Sequence, residues 1–127
     1  MNYDYIIDSY AWVEYFNGSK EGEKATSFIE GGNSATSSIS IAELTAKYLR
    51  ENKKFEEDFE FIMSRTKIIN VDQKIAKLAG ELNFENKKKM KDFGMADAII
   101  LATAKLVNGK IITGDEHFRN LNSIMIN

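Results

Sequence analysis

The chain has 127 residues, 43% of them hydrophobic, enough for a core of its own, and a single domain over residues 1–127 is expected. A formal charge of −2 and a pI near 5.5 exclude attraction to nucleic acid by bulk charge, so such binding must rest on a local patch or on bound metal. Without cysteine there are no disulfides, thiolate nucleophiles or cysteine zinc sites, and a lone histidine, His117, rules out a multi-histidine metal centre.

Tyr3 to Ile7 is apolar and β-leaning and stops at Asp8-Ser9, after which Ala11, Trp12, Tyr15 and Phe16 recur at helical spacing up to Gly18-Ser19. Lys20 to Glu30 forms a charged amphipathic helix on Ala25, Phe28 and Ile29, closed by Gly31-Gly32. A short strand over Ser34 to Ser38 precedes a helix on Ile41, Leu44, Ala46 and Leu49 and a charged helix from Lys53 to Ser64. Ile68 to Val71 is the third strand, and Asp72 the N-cap of a helix through Leu82. Beyond the Lys87 to Lys91 run, Met95 opens an almost wholly apolar helix stopped by Gly109, followed by a strand over Lys110 to Thr113 and an edge strand over Ser123 to Ile126. Helices between continuously apolar strands predict an α/β fold, with a mostly parallel sheet of five strands covered on both faces. With no long apolar run and no leader-like start, the chain is expected to be cytoplasmic, with no membrane span.

Four acids fall at the carboxyl edge of that sheet, where open parallel sheets gather ligands. Asp8 follows strand one, Glu43 lies in the first turn of the helix after strand two, Asp97 opens the apolar helix, and Asp115 follows strand four. Each has a plainer use. Asp8 can cap a helix, Ser40-Ile41-Ala42-Glu43 fits a capping box, and Asp115 suits a turn beside Gly114. Asp97 is harder to dismiss, because it shares its stripe with Ile100, Leu101 and Ala104, where a solvated acid is out of place. Crowded carboxylates repel unless a cation neutralises them, and hard oxygen donors without cysteine select Mg²⁺ or Mn²⁺ over zinc. Divalent metal in such a nest serves phosphoryl chemistry. No glycine fingerprint follows strand one, and no phosphate loop occurs elsewhere.

Taken in order, Ile6-Ile7-Asp8-Ser9, Ser40-x-x-Glu43-Leu44, Ala96-Asp97-Ala98-x-Ile100-x-Ala102-x-Ala104 and Ile112-Thr113-Gly114-Asp115-x-His117-Phe118 resemble the PIN-domain nucleases. Among them the chain looks most like the small VapC-type ribonuclease toxins. The resemblance implies a three-layer α/β/α sandwich and a Mg²⁺- or Mn²⁺-dependent endoribonuclease leaving 5′-phosphate and 3′-hydroxyl ends. It carries the metal-binding, catalytic set onto Asp8, Glu43, Asp97 and Asp115, and the steadying hydroxyl onto Thr113. Asp92 and Glu116 are acids of second rank, Asp92 readable as a helix cap and His117 as a bystander beside the anchoring Phe118. Lys87, Lys88, Lys89 and Lys91 are the candidates for the RNA backbone. The resemblance also implies a homodimer and a small antitoxin partner, for which Trp12, Tyr15, Phe16 and the helix on Phe55, Phe59 and Phe61 offer aromatic surface that core packing explains equally well. The competing readings are a PIN nuclease of RNA processing, a silent acidic-pocket binding module, and a phosphoacceptor domain, which would need an aspartate after strand three where Asn70-Val71-Asp72 heads a helix.

Overall fold

Ile6-Ile7 and Ile111-Ile112 are fully buried pairs of neighbours, and neighbours on a strand point to opposite faces. Both faces of the sheet must therefore be covered. In the computed structural model, which describes residues 2–127, they are. Strands β1 (Tyr5–Ile7), β2 (Ser34–Ser37), β3 (Lys67–Ile69), β4 (Lys110–Thr113) and β5 (Ser123–Met125) form one sheet in the order β3-β2-β1-β4-β5. Every neighbouring pair is parallel. The connecting helices are α1 (Ser9–Asn17), α2 (Lys20–Glu30), α3 (Ser38–Arg50), α4 (Glu56–Arg65), α5 (Gln73–Lys87) and α6 (Met95–Val107), with a 3₁₀ turn at Glu116–Phe118.

The core splits across the sheet as the pleat requires. Ile6 and Ile111 pack with Ile75 and Ala79 of α5 and with Ala98, Leu101 and Ala102 of α6, together with Phe93 and Phe118. Ile7 and Ile112 pack on the other face with Ala11 and Trp12 of α1, Ala25 and Ile29 of α2, Leu44 of α3 and Ile62 of α4. This is a three-layer α/β/α sandwich. Three buried polar side chains pair with one another: the Trp12 indole donates to Thr36 Oγ1 at 3.1 Å, and Thr36 and Thr66 share a hydrogen bond of 2.8 Å. Gly22 lets α2 cross tightly over α1, since a Cβ there would lie 2.1 Å from the Glu14 carbonyl oxygen.

Several boundaries differ from the sequence expectation. The fourth helix starts at Glu56 rather than Lys53, because Asn52 leaves α3 in the left-handed region (φ 56°) and Lys53 N–H turns back to Tyr48 O at 2.8 Å. The apolar helix ends on Asn108 (φ 58°), not on Gly109. Gly109 serves a close approach instead, a Cβ there meeting Tyr3 O at 2.6 Å. The order of strands matters most for the site. The chain runs outward from β1 through β2 to β3, then returns to the other side of β1 with β4, so the sheet's switch point lies between the carboxyl ends of β1 and β4.

Candidate active site

The register Ile6↔Ile111 and Ile7↔Ile112 sets Asp8 and Thr113 side by side at that switch point. Asp8 stands at the N-cap of α1, but its side chain caps nothing. It accepts a hydrogen bond from Thr113 Oγ1 at 2.8 Å and is 5% exposed. Burial drives its carboxyl from 3.8 up to about 7, with Thr113 pulling it back and the charges of Glu43 and Asp115 pushing it further. Thr113 in turn accepts from the Asp115 backbone N–H at 3.0 Å, which ties both acids to one buried hydroxyl.

Glu43 is not part of a capping box. Helix α3 begins at Ser38 with Ser37 as its cap, so Glu43 falls in the second turn, and the buried Ser40 hydroxyl has no hydrogen-bond partner among the described residues. Freed from capping, Glu43 Oε1 accepts from Ser9 Oγ at 3.2 Å. Partial burial raises its carboxyl, as do the charges of Asp97 and Asp115.

Asp97 reaches back from the third position of α6 to accept the Gly94 N–H at 3.1 Å, which fixes its rotamer. Its Oδ2 also meets His117 Nδ1 at 2.8 Å. Burial raises its carboxyl, against the Gly94 N–H and with the charge of Asp115. Asp115 caps the 3₁₀ turn through the His117 N–H at 2.9 Å, so the turn reading was correct as far as it went. The turn also aims it inward: oxygens of Asp97 and Asp115 and a nitrogen of His117 lie within 4.8 Å of one another.

His117 is no bystander. Its Nδ1 faces Asp97, and its Nε2 sits 2.9 Å from Asp92 Oδ2. Only the imidazolium offers a donor on both nitrogens. The hydrogen bond to Asp92 raises the imidazole above its ordinary value, partial burial opposes this, and Asp115 and Asp97 add to the rise. Asp92 therefore does not cap α6, whose N-cap is Gly94. Glu116 turns away to Arg119 Nε and Nη2 at 2.7 and 2.6 Å.

Asp8, Glu43, Asp97 and Asp115 line a single cleft of about 410 Å³ between α1, α3 and the start of α6. The set suits a hard divalent cation: the donors are carboxylate oxygens, and burial pushes the Asp8 carboxyl up to about 7, a rise that a cation beside it would oppose. Lys47, Arg50 and Tyr10 also line this cleft. Sequence reading passed over these three, although Glu43, Lys47 and Arg50 follow the i, i+4, i+7 spacing of one helical stripe. Lys87, Lys88, Lys89 and Lys91 are exposed and do not line the cleft. Lys87 Nζ donates to Lys91 O at 3.1 Å, while Lys88 pairs with Glu85 and lies over the Phe84 ring.

The aromatic residues divide between core and surface. Trp12, Tyr15, Phe16 and Phe61 pack on one another, with Trp12 fully buried. Phe55 and Phe59, by contrast, line a groove of about 690 Å³ with Tyr48 and the exposed Leu49. Among the described residues no helix is long and apolar enough to cross a membrane.

The PIN domain family model matches residues 5–123. No curated protein matches the chain. Among solved structures, a chain of a toxin–antitoxin complex from Klebsiella pneumoniae is 25% identical, with a TM-score of 0.79 over 98% of both chains. A chain of VapBC2 from Rickettsia felis, solved bound to a DNA fragment from its promoter, is 25% identical, with a TM-score of 0.75 over 95% of this chain and 96% of that one. DNA-bound VapBC from Salmonella typhimurium shares the fold at 19% identity, with a TM-score of 0.74 over 98% of this chain and 96% of that one.

Proposed function

The chain belongs to the PIN domain family, and on that premise we propose that it is a Mg²⁺- or Mn²⁺-dependent endoribonuclease, the toxin of a toxin–antitoxin pair. The observation that carries this reading is the convergence of Asp8, Glu43, Asp97 and Asp115 on one cleft at the sheet's switch point. Asp8, Asp97 and Asp115, with Glu43 directly or through water, would hold the cation. When bound, such an ion acidifies water near neutral pH and offsets charge on a phosphodiester in displacement.

The chain's own residues set the stage for that chemistry. Thr113 holds Asp8 and the Asp115 backbone in fixed relation, and Gly94 N–H locks Asp97 against α6. These rigid mounts leave little reorganisation for the reacting state. His117, when protonated, places positive charge beside Asp97 and Asp115. A small antitoxin partner completes the proposal, supported by relatives solved as a toxin–antitoxin complex and as VapBC2.

The test is cleavage of a pool of structured RNAs with Mg²⁺ or Mn²⁺, with chelator and Asp97→Asn controls and mapping of product ends. Metal-dependent cuts with 5′-phosphate ends, lost in a folded Asp97→Asn, are expected. Full activity in that variant would sink the assignment.

A further inference from the structure

Resting on the nuclease reading, we infer that the substrate strand leaves the acids along α3, where Arg50 and Lys47 bind a phosphate next to the one being cut. Arg50 stands seven residues beyond Glu43, which puts its Cα about 10 Å further along the helix and only about 20° off the same stripe. That spacing suits neighbouring phosphates on one strand. Lys47 lies between them on the stripe.

The two cations are not equivalent. Lys47 Nζ is committed to Glu51 Oε2 at 2.5 Å, whereas Arg50 has no carboxylate partner among the described residues and is exposed at the cleft. A planar guanidinium free of ion pairs is the better phosphate ligand, able to bind two oxygens at once. The facing wall, from α1, carries Glu14, which disfavours phosphate on that side and leaves α3 as the open track. Tyr10 lies on that wall near the acids, its hydroxyl donating to Glu21 Oε2 at 2.7 Å, so the cleft offers an anchored aromatic ring to an unpaired base. A single-stranded or looped RNA segment fits these features better than a duplex, whose bases are not free to stack.

A plainer role for Lys47 and Arg50 exists, since basic residues in the last turn complement a helix dipole. That role would appear in thermal stability and not in substrate affinity. The experiment therefore pairs steady-state cleavage of a labelled single-stranded oligoribonucleotide with anisotropy binding of the same RNA to the Asp97→Asn chain, each with and without Arg50→Gln. Arg50→Gln is expected to lower kcat/KM about tenfold, nearly all of it in KM, and to reduce the slope of log affinity against log salt by about one contact, with Arg50→Lys restoring most of the slope.

Equal KM and equal salt slope in Arg50→Gln would overturn the path while leaving the nuclease reading in place. Loss of slope on replacing Lys87, Lys88, Lys89 and Lys91, with none on replacing Arg50, would also overturn it. Arg50-dependent RNA binding by a chain that cleaves no RNA in either metal would sink the nuclease reading and keep the path. Absence of both binding and cleavage would overturn both.

Discussion

Thr113 Oγ1 donates to Asp8 Oδ2 at 2.8 Å, joining the ends of β1 and β4 across 105 residues of chain. Among the described residues this hydroxyl is the only side-chain donor bonded to a carboxylate that is otherwise enclosed. Thr113→Val keeps the shape and removes the donor, so the Asp8 carboxyl should rise above its present value of about 7. At pH 7 the variant would carry more of its protonated form and bind Mg²⁺ less tightly. Thermal shift against Mg²⁺, followed over pH, should show the onset of metal stabilisation moving to higher pH than in the parent. An unmoved onset would mean that Thr113 serves packing alone.

The same carboxyl fixes the sign of the pH dependence of stability. The folded-state value of Asp8, about 7, lies above its ordinary 3.8, so between those values the native chain holds a proton that the unfolded chain has released. Stability therefore falls as pH rises through that window, by a few kcal/mol at most. Glu43 and Asp97, raised by burial, act in the same direction. His117 does too, since a raised imidazole contributes stability below its unfolded value and loses it as pH rises through the folded one. Metal-free protein should then melt at a lower temperature at pH 8 than at pH 5, Asp8→Asn should flatten the trend, and Mg²⁺ at pH 8 should restore the loss by binding only the native state. A melting temperature that climbs from pH 5 to 8 without metal would contradict the burial of Asp8.

His117 bridges Asp92 and Asp97 with both ring nitrogens, at 2.9 and 2.8 Å. As an imidazolium it is an internal cation set against two of the acids that would hold metal. Replacing it with alanine removes that competitor along with one restraint on Asp97. Mg²⁺ affinity at pH 6, measured by calorimetry, should rise several-fold, and the difference from the parent should narrow as pH rises through the raised value of the parental imidazole. Asp92→Asn should act in the same direction but more weakly, because Asp92 is 80% exposed and its contribution is screened by solvent. Weaker metal binding in His117→Ala at pH 6 would assign His117 to orienting Asp97 instead.

The fold was readable because its signals are local and repeated. Paired isoleucines with no polar alternation gave a sheet buried on both faces, and Asp72, accepting from Ile75 N at 2.9 Å, marked the start of α5. Four acids at one edge followed from strand order. What failed was whatever depended on exact helix phase or on a side chain's second contact. Ser40-x-x-Glu43 reads as a capping box only if α3 starts at Ser40, and the cap at Ser37 moves the helix three residues earlier. Reaching Asp92 and Asp97 at once requires His117 to lie where a 3₁₀ turn meets both the loop before α6 and its first turn, a meeting no periodicity encodes. Arg50 escaped notice because its lack of a carboxylate partner among the described residues is visible only in three dimensions.

Gly114, between Thr113 and Asp115, shows how the turn and the cleft wall depend on each other. A Cβ at Gly114 would lie 2.2 Å from Tyr10 Cε1, closer than real contacts allow. The Tyr10 ring cannot simply swing aside, because its hydroxyl is held by Glu21 at 2.7 Å. Gly114→Ala should therefore cost about 1–3 kcal/mol, the range for overpacking, even though alanine restrains the unfolded chain better than glycine does. The diagnosis is a double-mutant cycle read by urea denaturation. In a Tyr10→Ala background the clash is gone, so adding Gly114→Ala should cost far less, giving a coupling of about 1 kcal/mol or more. Equal costs in the two backgrounds would place the strain in the backbone between Thr113 and Asp115. In that case Gly114→Ala should also disturb the Thr113 hydroxyl's hold on Asp8, and Mg²⁺ binding would fall with stability; with the strain at Tyr10, Mg²⁺ affinity should survive in the double variant.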